Sequence, residues 1–173
     1  KPLLTRLTMA DDEDFAVVGA GASDTYPIRA GEVKKGSHVV IKDKPCKVID
    51  YSTSKTGKHG HAKAKIVALD IFTNRKYEDI CPTSHNMTAP NVVRKEWQLI
   101  DVVDGYANLM DEEGETNESL QLPPPQIPED ASETLAAYAK LVEDFEEGSK
   151  DVFVTVTSAM GTDMIMSNYS LRQ

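Results

Sequence analysis

One stretch of this chain repeats its apolar residues with the period of an α-helix, and that restriction governs what the rest can become. Leu135, Tyr138, Val142 and Phe145 recur at intervals of three, four and three, placing them on one helical face. Asp130 and Glu133 precede that run at capping-box spacing, with Asp130 expected to accept from first-turn amides and Glu133 to reach back. Gly148 offers a C-terminal stop because it tolerates the left-handed conformation that ends helices. Elsewhere the apolar residues come in short runs broken by turn residues. The fold is therefore predicted to be mostly β, with one helix.

The runs fall into two groups. In the first, His38–Lys42 and Cys46–Tyr51 flank the turn residues Asp43–Pro45, as in a hairpin. Ala62–Phe72 has a period near two, and the turn Thr73–Lys76 leads into a return strand, Tyr77–Cys81. Four or five short strands of this kind imply a small barrel or roll. In the second group Trp97–Val103 runs into Asp104–Gly105, a two-residue hairpin signal, and returns as Tyr106–Met110. An acidic turn, Asp111–Thr116, precedes another short strand at Ser119–Leu122, and Trp97 is expected to be core rather than a base-stacking platform. Leu122–Pro128 holds four prolines, which remove donors and fix φ, so it is expected to be a solvated spacer, with an SH3-type ligand as the weaker alternative. After the helix, Asp151–Ala159 alternates Val152, Val154 and Val156 against Phe153, Thr155 and Thr157 as a strand. Short strands with one helix before the last resemble an OB-type barrel, though a mixed α+β sandwich reads alike.

Charge divides the chain more sharply than hydropathy does. The net charge is −9, yet residues 26–95 hold fourteen Lys and Arg against six Asp and Glu, and residues 96–173 hold three against seventeen. An excess of +8 beside one of −14 makes nucleic acid the first partner to consider, with the basic part drawn to phosphate; two halves that merely attract each other are the alternative. Residues 1–25 read as a flexible acidic tail, with a cluster at Asp11–Asp14. A chain of 173 residues that is 40% hydrophobic can build a core without disulfides, and Cys46 and Cys81 lie far apart without CxxC partners, as small core residues of a reducing cytosol would. No apolar run approaches the ~20 residues of a membrane helix, so a soluble cytoplasmic protein with no membrane partner is expected.

The segment with the most chemistry is Ser52–Lys63, reading Ser-Thr-Ser-Lys-Thr-Gly-Lys-His-Gly-His-Ala-Lys. It lies between two strand candidates, so it forms a hairpin tip; four residues out and four back would project it roughly 13 Å at ~3.3 Å per residue. Lys58 stands at or near the apex, and Gly57 and Gly60 bracket Lys58 and His59, permitting positive φ and close approach to another surface. Lys55, His59, His61 and Lys63 add to the local positive potential, and no hydrophobic residue anchors the tip. Such a lysine suits nucleophilic attack or phosphate contact; a solvated basic hairpin tip is the plain alternative. A phosphate-binding GxxxxGK[ST] loop fails on spacing, since Ser52 stands where the first glycine belongs and His59 where the hydroxyl belongs. His59 and His61 lack a nearby third ligand, so no metal is assigned, and no GxSxG elbow signals a Ser/His/acid triad.

Across this loop the sequence resembles the eukaryotic translation factor 5A family, and the likeness continues through Asp70–Thr73, Lys76–Pro82 and Ser84–Met87. It runs from Met9–Phe15 to Thr157–Met160; Lys1–Thr8, Pro123–Pro125 and Met164–Gln173 depart from the pattern. The resemblance implies a basic SH3-like β-barrel over 26–95 carrying the hypusine loop and an acidic OB-fold barrel with one helix over 96–173. It implies that Lys58 is the hypusine position, that Ser54, Lys55, Thr56, Gly57, His59, Gly60, His61 and Lys63 form the loop that meets RNA, ribosome and modifying enzymes, and that there is no catalytic residue. Deoxyhypusine synthase would transfer an aminobutyl group from spermidine to Lys58 and deoxyhypusine hydroxylase would add one oxygen, so the protein is a substrate with no cofactor of its own. The factor would bind the ribosome between the P and E sites, against rRNA and the P-site tRNA. There it would position the acceptor end of peptidyl-tRNA, promote peptide bonds at stalling sequences such as polyproline, and aid termination.

Two rivals are distinct in kind. A general single-stranded RNA-binding OB module requires aromatic residues on the barrel face, and residues 96–173 offer Trp97, Tyr106, Tyr138, Phe145, Phe153 and Tyr169 amid strongly repulsive charge. An enzyme using Lys58 as nucleophile requires a pocket, which a projecting hairpin lacks.

Overall fold

The computed structural model describes residues 24–55, 57–58 and 60–173. The acidic tail expected over 1–25 thus lies outside the described residues except for its last two, and Thr25 opens the first strand.

Strand β1 (Thr25–Arg29) leads through a 3₁₀ turn at Ala30–Glu32 to β2 (His38–Ile41), β3 (Lys44–Lys55), β4 (Ala62–Asp70), β5 (Lys76–Pro82) and β6 (Asn86–Pro90). Strands β2, β3, β4 and β5 form one antiparallel sheet in that order, and β1 pairs with β6. The expected four or five strands are therefore six; β1 escaped notice because its pairing, Ile28 with Met87, spans most of this unit and leaves no local turn signal. Lys42 and Asp43 both take positive φ, the mirror-image turn whose twist matches a tight hairpin. Val39, Ile41, Cys46, Val48, Ala64, Ile66 and Ala68 fill the core between these strands.

The second sheet is built from β7 (Val93–Val103), β8 (Tyr106–Met110), β9 (Thr116–Gln121), β10 (Asp151–Ala159) and β11 (Thr162–Arg172), ordered β11-β10-β7-β8-β9. Helix α1 (Ser132–Glu147) lies between β9 and β10 in sequence and seats Tyr138 and Leu141 in the core with Trp97, Leu99, Leu109, Val152, Val154 and Ile165. Asp104 and Gly105 form the β7–β8 turn with positive φ. The fold is mostly β with one helix before the final hairpin, the OB-type arrangement, and no helix among the described residues is long and apolar enough to cross a membrane.

Three expectations need correction. The capping box does not form: α1 starts at Ser132 after Ala131, no side chain caps it, and Asp130 contributes only its carbonyl to the Ser132 N–H at 2.9 Å. The poorly matching tail is strand β11, whose Met164 and Ile165 are buried, so Asp151–Ala159 is the penultimate strand. Leu122–Pro128 is not a solvated spacer: Leu122, Pro124 and Ile127 are buried, docking the proline segment onto the barrel. At the other end of α1, Gly148 behaves as expected, with φ 70° and its N–H donating to the Phe145 carbonyl.

The two cores meet at the turn after β4. Ile71 and Phe72, at the turn after β4, belong by sequence to the first unit but pack into the second, beside Trp97 and its neighbours. Buried Asp70 holds this turn by accepting the Phe72 N–H at 2.8 Å and the Thr73 N–H at 3.3 Å.

Candidate functional site

Strands β3 and β4 outrun the core they cover. Their ladder continues through Ser52↔Lys65, Thr53↔Ala64, Ser54↔Lys63 and Lys55↔Ala62, carrying the connection at 56–61 away from the sheet. Alternation then sorts the side chains into two faces. Ser52, Ser54, Lys63 and Lys65 share the solvent face, while Tyr51, Thr53 and Lys55 continue the face that holds buried Ile66 and Ala64 farther down. The Thr83 N–H donates to the Ala62 carbonyl at 3.0 Å, so the β5–β6 turn braces the ladder where it leaves the body.

Lys58 occupies the turn itself and is exposed. Gly57 has φ +72°, a conformation any β-carbon would strain, and a β-carbon built there meets nothing within 4 Å. That glycine serves the turn's shape and keeps the space beside Lys58 open. The Gly60 N–H lies 3.4 Å from the Gly57 carbonyl, a long closing hydrogen bond. Thr56 and His59, both expected in the site, lie outside the described residues. Ser54, Lys55, His61 and Lys63 are exposed around the tip, and among the described residues no carboxylate comes within ion-pair distance of Lys55, Lys58, Lys63 or Lys65. The ion pairs that do form lie elsewhere: Lys76–Glu78 at 3.4 Å on β5, Lys95–Asp111 at 2.7 Å between the two halves, and Lys140–Asp144 at 2.7 Å and Arg172–Glu96 at 2.8 Å in the acidic half.

The chemistry open to this arrangement is that of a substrate or a positioned charge. Burial pushes the Cys46 thiol up to about 11 and raises Cys81 as well, so neither is a ready nucleophile. Sequence reasoning found the tip and missed its brace: Thr83 meets Ala62 one rung beyond the Lys63↔Pro82 pair of the β4–β5 hairpin, and the 3₁₀ turn that holds Thr83 through Gly31 comes from some fifty positions away with no local signal.

Comparison with known proteins accords with the geometry. Residues 23–85 match the family model described as "Translation initiation factor 5A-like, N-terminal", and residues 91–168 match "Eukaryotic elongation factor 5A hypusine, DNA-binding OB fold". The chain is 49% identical over 162 residues to eukaryotic translation initiation factor 5A-2 of Schizosaccharomyces pombe, covering 92% of this chain and 89% of that one. It is 50% identical over 159 residues to eukaryotic translation initiation factor 5A-3 of Arabidopsis thaliana, covering 91% and 94%. A solved translation initiation factor of this family from Naegleria fowleri superposes with a TM-score of 0.74 at 49% identity, over 87% of this chain and all of that one. The factor from Methanococcus jannaschii gives 0.59 at 30% identity, over 83% and 94%. With both halves matched and the basic hairpin in place, the chain belongs to the eukaryotic translation initiation factor 5A family of translation factors.

Proposed function

We propose that this translation factor works as a post for another molecule's reactive end, with Lys58 as its contact point. The observation that carries the reading is an exposed lysine, with no carboxylate within ion-pair distance among the described residues, at the turn of a hairpin whose strands extend past their own core. Deoxyhypusine synthase forms a carbon–nitrogen bond between the Lys58 Nζ and the aminobutyl group of spermidine as the bond from that group to spermidine's secondary amine breaks, the remainder leaving as 1,3-diaminopropane. The hydroxylase then inserts one oxygen atom from dioxygen, the other being reduced to water by an external reductant. The product is a longer arm with a second amine. On the ribosome, between the P and E sites, that arm lies against the acceptor end of peptidyl-tRNA. Peptide-bond formation needs its reactants in a near-attack geometry, so restraining a mobile tRNA end raises the rate by orientation alone. The gain is largest where the nascent chain disfavours that geometry, as at proline runs, and the same restraint aids termination. Lys55 and Lys63 meet the RNA backbone beside the arm, while the acidic half is kept off it.

The rival reading, base stacking on the C-terminal barrel, finds few available rings. Trp97 and Tyr138 are buried, the Arg172 guanidinium covers Phe153 at 4.3 Å, and Tyr169 donates a hydrogen bond to Asp144.

Lys58→Arg tests the proposal, because arginine keeps the charge but does not accept the aminobutyl group. Incubated with synthase and spermidine, the native chain gains the aminobutyl mass and the variant does not. In a reconstituted translation assay on a polyproline message, the variant fails to relieve stalling while its thermal midpoint is unchanged. Normal relief of stalling by the arginine variant would overturn the reading.

A further inference from the structure

At the root of the hairpin an open cleft of about 510 Å³ lies between the 3₁₀ turn, β3 and the β5–β6 turn. Arg29 and Glu32 come from the first wall, Tyr51 and Thr53 from the second, Thr83 and Ser84 from the third. The walls are tied together by backbone. The Ala30 N–H donates to the His85 carbonyl at 2.9 Å and the Gly31 N–H to the Thr83 carbonyl at 2.8 Å. Glycine is what allows that approach, since a β-carbon at position 31 would sit 3.1 Å from the same Thr83 oxygen. Arg29 ends a paired strand, opposite Asn86, and is exposed, with no carboxylate within ion-pair distance among the described residues. The cleft is thus held in shape before any ligand arrives, and its one cation is not consumed by the fold.

We propose that this cleft is a subsite for one backbone phosphate of the RNA strand whose end the Lys58 arm touches. The inference rests on the function proposed above. Three features select the ligand. The donors are one guanidinium and three hydroxyls, those of Thr53, Thr83 and Ser84, a set that matches phosphate oxygens. A base has little to stack on, because Tyr51 is half-buried and its hydroxyl is committed to the Ala30 carbonyl at 2.8 Å. The cleft also lies in line with the loop. Thr53 and Lys55 share one face of β3, about 6.6 Å apart at ~3.3 Å per residue, and Lys58 follows three positions on. A strand meeting Lys58 and Lys55 therefore runs on toward Arg29. Glu32, on the same wall, opposes an anion and gives the test its sign.

The test uses the full chain, without modification, and a fluorescein-labelled RNA hairpin with a single-stranded CCA end, followed by anisotropy over a range of salt. Arg29→Ala is expected to weaken binding several-fold and to lower the log–log salt slope by about 0.7, one single-strand phosphate contact. Arg29→Lys retains most of the slope, Thr53→Val weakens binding without changing it, and Glu32→Gln tightens binding. An unchanged slope in Arg29→Ala, while Lys55→Ala still lowers it, overturns the cleft and leaves the arm's role standing. No salt-dependent RNA binding by the native chain overturns both. Weaker RNA binding in Glu32→Gln would reassign the cleft to a basic partner such as a protein segment. Saturation of the cleft by micromolar inorganic phosphate alone, read from the Arg29 side-chain resonance, would reassign it to a free anion.

Discussion

Replacing Phe72 with alanine should destabilise the half of the molecule to which Phe72 does not belong by sequence. Its side chain is 8% exposed and packs with Trp97 and the C-terminal core, although it follows directly from β4 of the N-terminal sheet. Withdrawing a buried phenylalanine costs the transfer of its surface, about 2–3 kcal/mol, together with the cavity left behind, for a usual total of about 3–5 kcal/mol. The turn at 71–75 sits at the edge of that core and can partly collapse, which favours the lower end. About 3 kcal/mol is a shift of roughly two orders of magnitude in an unfolding equilibrium. Hydrogen exchange resolved by residue is the suitable assay, because it reads the two cores separately. Protection should fall for Leu99, Leu109 and Val152, whereas Val39 and Val48 in the other core should change far less. Loss of protection confined to the N-terminal core would refute the assignment of Phe72.

Gly57→Val should cost about 1–3 kcal/mol of local strain, since φ is +72° there, and should slow aminobutyl transfer more than it lowers the thermal midpoint; a kinetic assay with the synthase beside a melting curve checks this. Tyr138→Phe leaves the Ile165 carbonyl without the buried hydroxyl that donates to it at 2.6 Å, and should lower stability by about 1–3 kcal/mol in denaturant titration. The Lys140 ammonium and then the Tyr169 hydroxyl hold the Asp144 carboxyl below its ordinary 3.8, and the Lys95 ammonium does the same for Asp111. Groups depressed in this way stabilise the fold above the ordinary carboxylate range, and the benefit is lost as pH falls below 3.8 through their folded values. Asp144→Asn should therefore flatten the acid limb of a stability-against-pH curve, and an unchanged limb would count against the Lys140–Asp144–Tyr169 cluster as its source.

What the sequence made legible was whatever is encoded within a few residues. The Asp104–Gly105 turn, the Gly148 stop, the buried alternation of Val152, Val154 and Val156 and the exposed Lys58 tip all follow from local chemistry, and all are present. The failures share the opposite property. Strand β1 exists because β6 offers it an edge some sixty positions away, and the Gly31 N–H reaches the Thr83 carbonyl from some fifty positions away. The proline segment read as solvated because its composition is that of a linker, yet Leu122 and Ile127 are buried beside Tyr138 and Leu141. The Asp130–Glu133 spacing was a true pattern with no effect, since the helix begins one residue too late to use it.

The pairing of Lys55 with Ala62 also limits how this finger can be lengthened or shortened. Adding one residue to each arm would advance the tip by ~3.3 Å and turn it over, presenting its lysines on the opposite side. Adding two to each restores the facing and moves the tip by about 6.6 Å. Reach here is quantised: variants of the arm that keep their orientation come in steps of four residues, while an odd insertion must be absorbed within 56–61 or at a new bulge.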